Sequence, residues 1–258
     1  MPKSPLWTYD QTLIALRVYL NTEFGRLHNT NPEIVRIAGL LERSPSALGM
    51  KCCNFASLDP FHAARGVKGL ANRGGVEEQV WSDFQTHPDE VVEKMEQEWE
   101  RLAVEGIDGP KLVGDEPDVP EGPSETTRTV RVRRLQRAFR SAVLVGYKQR
   151  CALTGLSVTS LLNASHIIPW SVSEGRRSDP RNGICLNALH DRAFDRGLMT
   201  FDEQFRAVLS RELHHDERLG RFTDHFAGLE GQPLAMPERF GPLPEAMSYH
   251  RENVFQSA

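Results

Sequence analysis

The chain has 258 residues, of which 39% are hydrophobic, 26% charged and 8% aromatic, a globular composition with length for two ordinary domains. No apolar run approaches the roughly 20 residues that span a bilayer, and the opening MPKSPLWTYDQTL lacks the basic head and apolar stretch of a signal peptide. A net charge of −4 argues against a uniformly basic nucleic-acid binder.

Residues 8–22 place Leu13, Leu16 and Leu20 at helical spacing. Asn31 then reads as an N-cap with Pro32 at the first helical position, and Ile34, Ile37, Ala38 and Leu41 form one apolar face. After a break at Glu42–Arg43, Ser44 and Pro45 repeat the cap signal and open a second helix carrying Ala47, Leu48, Met50 and Lys51. Two short helices joined by a tight turn make a helix-turn-helix pattern, in which Arg43, Ser46, Gly49 and Lys51 would face DNA. A helical hairpin used only for packing gives the same pattern. The pair Cys52–Cys53 reads as small apolar packing on this helix. With Cys151 and Cys185 it shows no C-x-x-C spacing, so reduced thiols in a cytoplasmic protein are expected.

Residues 77–103 read as one or two acidic helices that bury Val80, Trp81, Phe84, Val91, Val92, Met95 and Trp99. From 104 to 127 the chain is rich in proline, glycine and acid without periodicity, as a linker is. The charge then reverses. Between Thr126 and Leu213 stand 15 Lys and Arg against 7 Asp and Glu, a net of +8 inside an acidic chain. Such a block suits a segment that meets phosphate, although a solvated basic face has the same composition. Its first part, TRTVRVRRLQRAFRSAVLVGYKQR, puts Leu135, Phe139, Ala142 or Val143, and Tyr147 on one helical stripe. Arg133, Arg134, Arg137 and Arg140 crowd the other faces. A planar guanidinium fork grips phosphate bidentately, which makes these arginines candidate DNA contacts.

The stretch from Cys151 to about Thr200 predicts strand, loop, strand and helix, the last stopped by Gly197. Three polar residues are spaced along it: His166, then Asn182 sixteen residues on, then His190 eight further. Arg176 and Arg177 lie in the intervening loop and are read as phosphate contacts, an idle surface loop being the alternative. From about Phe222 onward, glycine and proline breaks suggest a loosely wrapped extension.

The runs SHIIPW, RNGICL and LHDRAFDRGL, with the lead-in RRLQRAFRSAVLVGYKQRCALTGL, resemble the HNH nuclease family, whose fold is the ββα-metal motif. The resemblance covers roughly Arg134 to Leu209, and MKCCNFASLDP resembles the segment preceding HNH modules in restriction-type endonucleases. It implies an α+β protein in three parts. Residues 1–103 would form a mainly helical region with the helix-turn-helix-like element, 104–127 the linker, and 128–258 an HNH nuclease domain with a C-terminal extension. It also implies roles: His166 as general base, His190 as metal ligand, and Asn182 as the brace that orients the base.

One departure from the family pattern stands at Ser165, where many HNH nucleases carry an acidic metal ligand. A hydroxyl is a weaker, neutral donor, so the site would recruit Asp195 or Asp191, a water, or the substrate. Asp195 could instead bond within the helix end or pair with Arg192. The expected metal is Mg2+, with Mn2+ as the alternative. Cys151 and Cys185 lack x-x-C partners, so no structural zinc is expected and both read as core residues of the two strands. The implied activity is metal-dependent cleavage of DNA in bacterial restriction or defence, with a homodimer suited to cutting both strands. A DNA-binding regulator with an inactive HNH fold, and a nonspecific DNA or RNA nuclease toxin, are the competing readings.

Overall fold

The computed structural model describes residues 6–66, 74–104, 127–215, 225–226 and 228–257. The stretch read as a linker, 104–127, therefore lies outside the described residues except at its two ends. Among the described residues no helix is long and apolar enough to cross a membrane.

Helix α1 (Tyr9–Asn21) starts in a capping box. The Thr8 hydroxyl accepts from Gln11 N, and the Gln11 side chain returns to Thr8 N. Its residues from Thr12 to Leu20 are all buried, so it runs as a central rod touched by α3, α5, α6 and α7. Helices α2 (Pro32–Leu40) and α3 (Pro45–Leu58) carry the expected caps, with Asn31 accepting from Glu33 N and Ser44 from Ala47 N. The turn between them places Glu42 at a φ of 52°. Helix α4 (Pro60–Ala64) follows. The acidic stretch is two helices, α5 (Gly75–Thr86) and α6 (Pro88–Val104), because a proline cannot continue the helix before it.

Helix α7 (Thr127–Gly146) belongs to two cores at once. Leu135, Ala138 and Ala142 sit on one face and enter the helical core with α1–α6. Phe139, Val143 and Leu144 point about a third of a turn away, into the second core. That second core holds β1 (Leu162–His166) and its antiparallel partner β2 (Gly183–Asn187), with Ala164 opposite Cys185 and His166 opposite Gly183. Helix α8 (Ala188–Asp195) follows without a break, capped by the Asn187 side chain, and Gly197 stops it at a φ of 69°. A hairpin of β3 (Met199–Phe201) and β4 (Ala207–Leu209), short α9 (Arg211–His215) and α10 (Pro244–Asn253) complete the order.

Two expectations need correction. The C-terminal stretch is not a loose extension. Arg239, 1% exposed, donates to the carbonyls of Tyr19, Leu20 and Thr22, the end of α1 where helical carbonyls lack partners. Phe240 beside it packs among Tyr19, Trp81 and Phe84. The second concerns Cys151, which lies in the turn after α7 rather than on a strand, while Cys185 does lie on β2.

Candidate active site

A cleft of about 540 Å³ opens between α7, β1, α8 and the end of α10, and His166, Ser165, Asn163, Asp191 and Asp195 line it. His166 is held on three sides. Its ring stacks on Phe139 at 3.7 Å and 15°, meets the edge of Trp170 at 5.5 Å, and Nε2 lies 2.9 Å from the Arg177 carbonyl. A carbonyl only accepts, so Nε2 carries the proton and Nδ1 keeps the lone pair. Burial holds the imidazole below its ordinary pKa, against the raising effects of the Arg177 bond and of the charges on Asp89 and Asp191. The ring is therefore neutral, and so basic, at neutral pH.

Phe139 reaches that ring because position 183 has no side chain. A Cβ on Gly183 would stand 2.5 Å from Val143 Cγ2 and 2.8 Å from Phe139 Cζ, so only glycine lets α7 approach β2 this closely. Asn182, 3% exposed, makes a two-way bridge: its Oδ1 accepts from Ile168 N at 2.8 Å and its Nδ2 donates to Ile168 O at 3.1 Å. Its backbone carbonyl also takes Ile167 N. The residue braces the chain on leaving His166 and lies outside the cleft lining.

The acidic side of the cleft follows from helical and strand periodicity. On α8, Asp191 and Asp195 are four apart and share the face toward β1, whereas His190, one position earlier, turns inward with Ala193 and Phe194. On β1, Asn163 and Ser165 are two apart and share a face. They donate to the two oxygens of Asp191, Asn163 Nδ2 to Oδ2 at 2.6 Å and Ser165 Oγ to Oδ1 at 2.5 Å. Asp195 is pushed up to about 6 by burial first and by the Asp191 charge second, over the opposing pull of Arg192 and Arg196. A carboxylate whose proton affinity is raised by a neighbouring carboxylate is one that a divalent cation would relieve.

His190, the metal ligand the resemblance implies, lies outside the cleft lining. It is 2% exposed, with Nδ1 near Asn187 Nδ2 at 3.2 Å and Nε2 near the His225 carbonyl at 3.3 Å, and it hydrogen-bonds Cys151. Burial would raise the Cys151 thiol, but its bonds with His190 and Thr154 outweigh burial and bring it down to about 6. Among the described residues no cluster of three or more His, Cys, Asp or Glu is arranged as a metal cage. Two carboxylates with neutral oxygen donors suit Mg2+, which keeps waters and substrate phosphate oxygens in its shell. Asp191, Asp195 and the hydroxyl behind them fit such an ion.

The arginines divide. Arg140 lines the cleft together with Arg192 and Arg196, which the sequence reading did not single out as DNA contacts. Arg134 instead pairs bidentately with Glu100 of α6, and Arg133 and Arg137 are half-buried on α7. Arg176 is exposed, while Arg177 donates to Trp170 O and lies 5.1 Å from the Trp170 ring centroid. At the helix pair, Arg43 donates to Leu6 O and Gln11 Oε1, and Lys51, 12% exposed, pairs with the buried Glu77 at 2.6 Å. Gly49 is buried and Ser46 is exposed, accepting from Asn29. Neither Arg43 nor Lys51 is among the residues that line the cleft. His250, which has no neighbours of interest in sequence, forms part of the cleft wall. It stacks on Phe194 at 3.8 Å and bonds to Thr200 Oγ1 through Nδ1 and to the Phe194 carbonyl through Nε2.

A search of curated proteins finds no match to the chain. Residues 151–202 match the family model described as HNH endonuclease. Those residues include β1, β2 and α8, and hence the imidazole and both carboxylates of the cleft, so this part of the chain is a domain of the HNH endonuclease family.

Proposed function

We propose that the cleft hydrolyses phosphodiester bonds of DNA with a divalent metal, in a bacterial restriction or defence enzyme of the cytoplasm. One observation carries this reading: the His166 imidazole, fixed with its lone pair on Nδ1, shares a cleft with the carboxylates Asp191 and Asp195. Hydrolysis requires an activated water, neutralisation of the phosphoryl oxygens and help for the departing 3′ oxygen. His166 accepts the proton of the attacking water at Nδ1. Stacking on Phe139 and the bond to Arg177 hold the ring in place as it becomes charged. Asp191 and Asp195 would hold the metal, Mg2+ or in second place Mn2+, and Asn163 and Ser165 aim Asp191. When bound, the ion supplies positive charge to the phosphate and the leaving oxygen.

Arg140, Arg192 and Arg196 meet the phosphates on the cleft walls. Residues 1–103 supply target recognition, with Ser46 on the exposed side of α3, and residues 128–258 supply the cut. A homodimer brings two such centres to one duplex. The test is cleavage of supercoiled plasmid and modified phage DNA with Mg2+ or Mn2+, comparing wild type with His166→Ala. Metal-dependent cutting that the variant loses is expected. DNA binding without cutting, on every substrate and metal tried, overturns the reading in favour of a regulator. Equal digestion of RNA and random DNA overturns the specificity for DNA.

A further inference from the structure

We propose that Asp89, on the first turn of α6, is a positioning residue for His166, so that the helical region completes the HNH site. The inference rests on the proposed role of His166 as general base. Asp89 is 4% exposed, and its Oδ1 accepts from both Ser178 N at 2.7 Å and Ser178 Oγ at 2.8 Å. Ser178 is itself 2% exposed and directly follows Arg177, whose carbonyl takes the His166 Nε2 proton. The loop between β1 and β2 is therefore clamped at the residue after the one that orients the base.

A second contact ties the same loop to the same place. Arg181 is locked to Asp179 and donates Nη2 to Gln85 O at 3.1 Å, near the end of α5. Both anchors come from the α5–α6 junction, about 60 residues before the start of the HNH match. Neither belongs to the family pattern. A surface loop would ordinarily be the freest part of such a domain. Here it carries the hydrogen-bond acceptor that fixes which ring nitrogen bears the proton, so its rigidity is a functional requirement.

Asp89 also supplies a negative charge behind that carbonyl. When His166 takes a proton from water, the imidazolium donates Nε2–H to a carbonyl whose neighbouring peptide N–H is held by a carboxylate. The arrangement divides the work of an orienting carboxylate between a backbone carbonyl, which makes the contact, and Asp89, which fixes it.

The experiment uses the full chain with Asp89→Ala, Asp89→Asn and Ser178→Ala, read by plasmid-cleavage kinetics and by ¹⁵N NMR of the histidine rings. Removal of the clamp is expected to lower kcat roughly 10–100-fold, the range for residues that orient a catalytic group through hydrogen bonds, with KM for DNA changed less than about threefold. The His166 signals are expected to leave the Nε2–H tautomer in Asp89→Ala. Asp89→Asn keeps an acceptor at Oδ1 and is expected to restore the tautomer and most of kcat. Ser178→Ala removes one of the two bonds and serves if Asp89→Ala does not fold. Wild-type kcat in Asp89→Ala, or an unchanged His166 tautomer in a folded clamp variant, overturns the proposal. The NMR readout needs no cleavage, so a wild-type protein that cuts nothing refutes the nuclease reading while the ring spectra still decide the clamp.

Discussion

Gly183→Ala is the most demanding test of the way the cleft is built. The added Cβ would lie 2.5 Å from Val143 Cγ2, 2.8 Å from Phe139 Cζ and 3.0 Å from Phe139 Cε2. Carbon atoms in contact settle near 3.5–4.0 Å, so α7 and β2 must part by about 1 Å. Both neighbours are 2% exposed, one turn apart on one helix, and cannot swing into solvent. Overpacking of this kind costs about 1–3 kcal/mol. Because Phe139 stacks on His166, cleavage should fall along with stability. Urea unfolding of Gly183→Ala, Val143→Ala and the double variant measures this directly. The double is expected to be more stable than the summed singles by at least about 0.5 kcal/mol, since removing the Val143 methyls relieves the closest contact. A Gly183→Ala protein within about 0.5 kcal/mol of wild type, or strict additivity of the pair, would refute the close-approach argument.

Three further outcomes follow from the same geometry. The acid limb of kcat against pH, measured with saturating Mg2+, is expected to have its midpoint below 6.5, because burial lowers the His166 pKa and the base form persists to lower pH; a midpoint above 6.5 contradicts that environment. Asp195→Asn and Asp191→Asn are each expected to weaken Mn2+ binding at least tenfold in EPR titration, while His190→Gln leaves it within about threefold; the reverse order would return His190 to the metal. His250 is held near 4, mainly by burial. Its neutral form is thus favoured by folding, and the stability it contributes is present above about 6.5 and lost as pH falls toward 4. The lowering corresponds to roughly 3 kcal/mol over that window. Urea unfolding at pH 7.5 and 4 should show His250→Gln losing less stability than wild type, and equal losses would show that the His250 ring does not titrate as its surroundings require.

The local order of the chain was legible because its determinants are local. Proline and Asn or Ser caps announced α2 and α3 and Gly197 the end of α8, whereas the sequence reading left open whether the acidic stretch is one helix or the two that meet at Pro88. The buried stripe of α7 and the strand–loop–strand–helix order around His166 could likewise be read from periodicity and motif spacing. What the sequence could not decide is which way neighbouring polar residues turn. His190 and Asp191 are adjacent in the chain, yet a helix rotates about 100° per residue, and only the docking of α8 on β1 puts the carboxylate in the cleft and the imidazole in the core. The i, i+4 spacing of Asp191 and Asp195 was present as a signal, but it acquires meaning only once Asn163 and Ser165 face it. The same holds at longer range. Nothing local marks Asp89, Gly183 or Arg239, because each acts on a segment far away in sequence: a loop clamp, a close helix–strand approach and the end of α1. The sequence alone determined the elements and the family motif, since those depend on neighbours along the chain. The tertiary structure decided which polar side chains share the cleft, the tautomer of His166 and the union of both cores through α7, since those depend on neighbours in space.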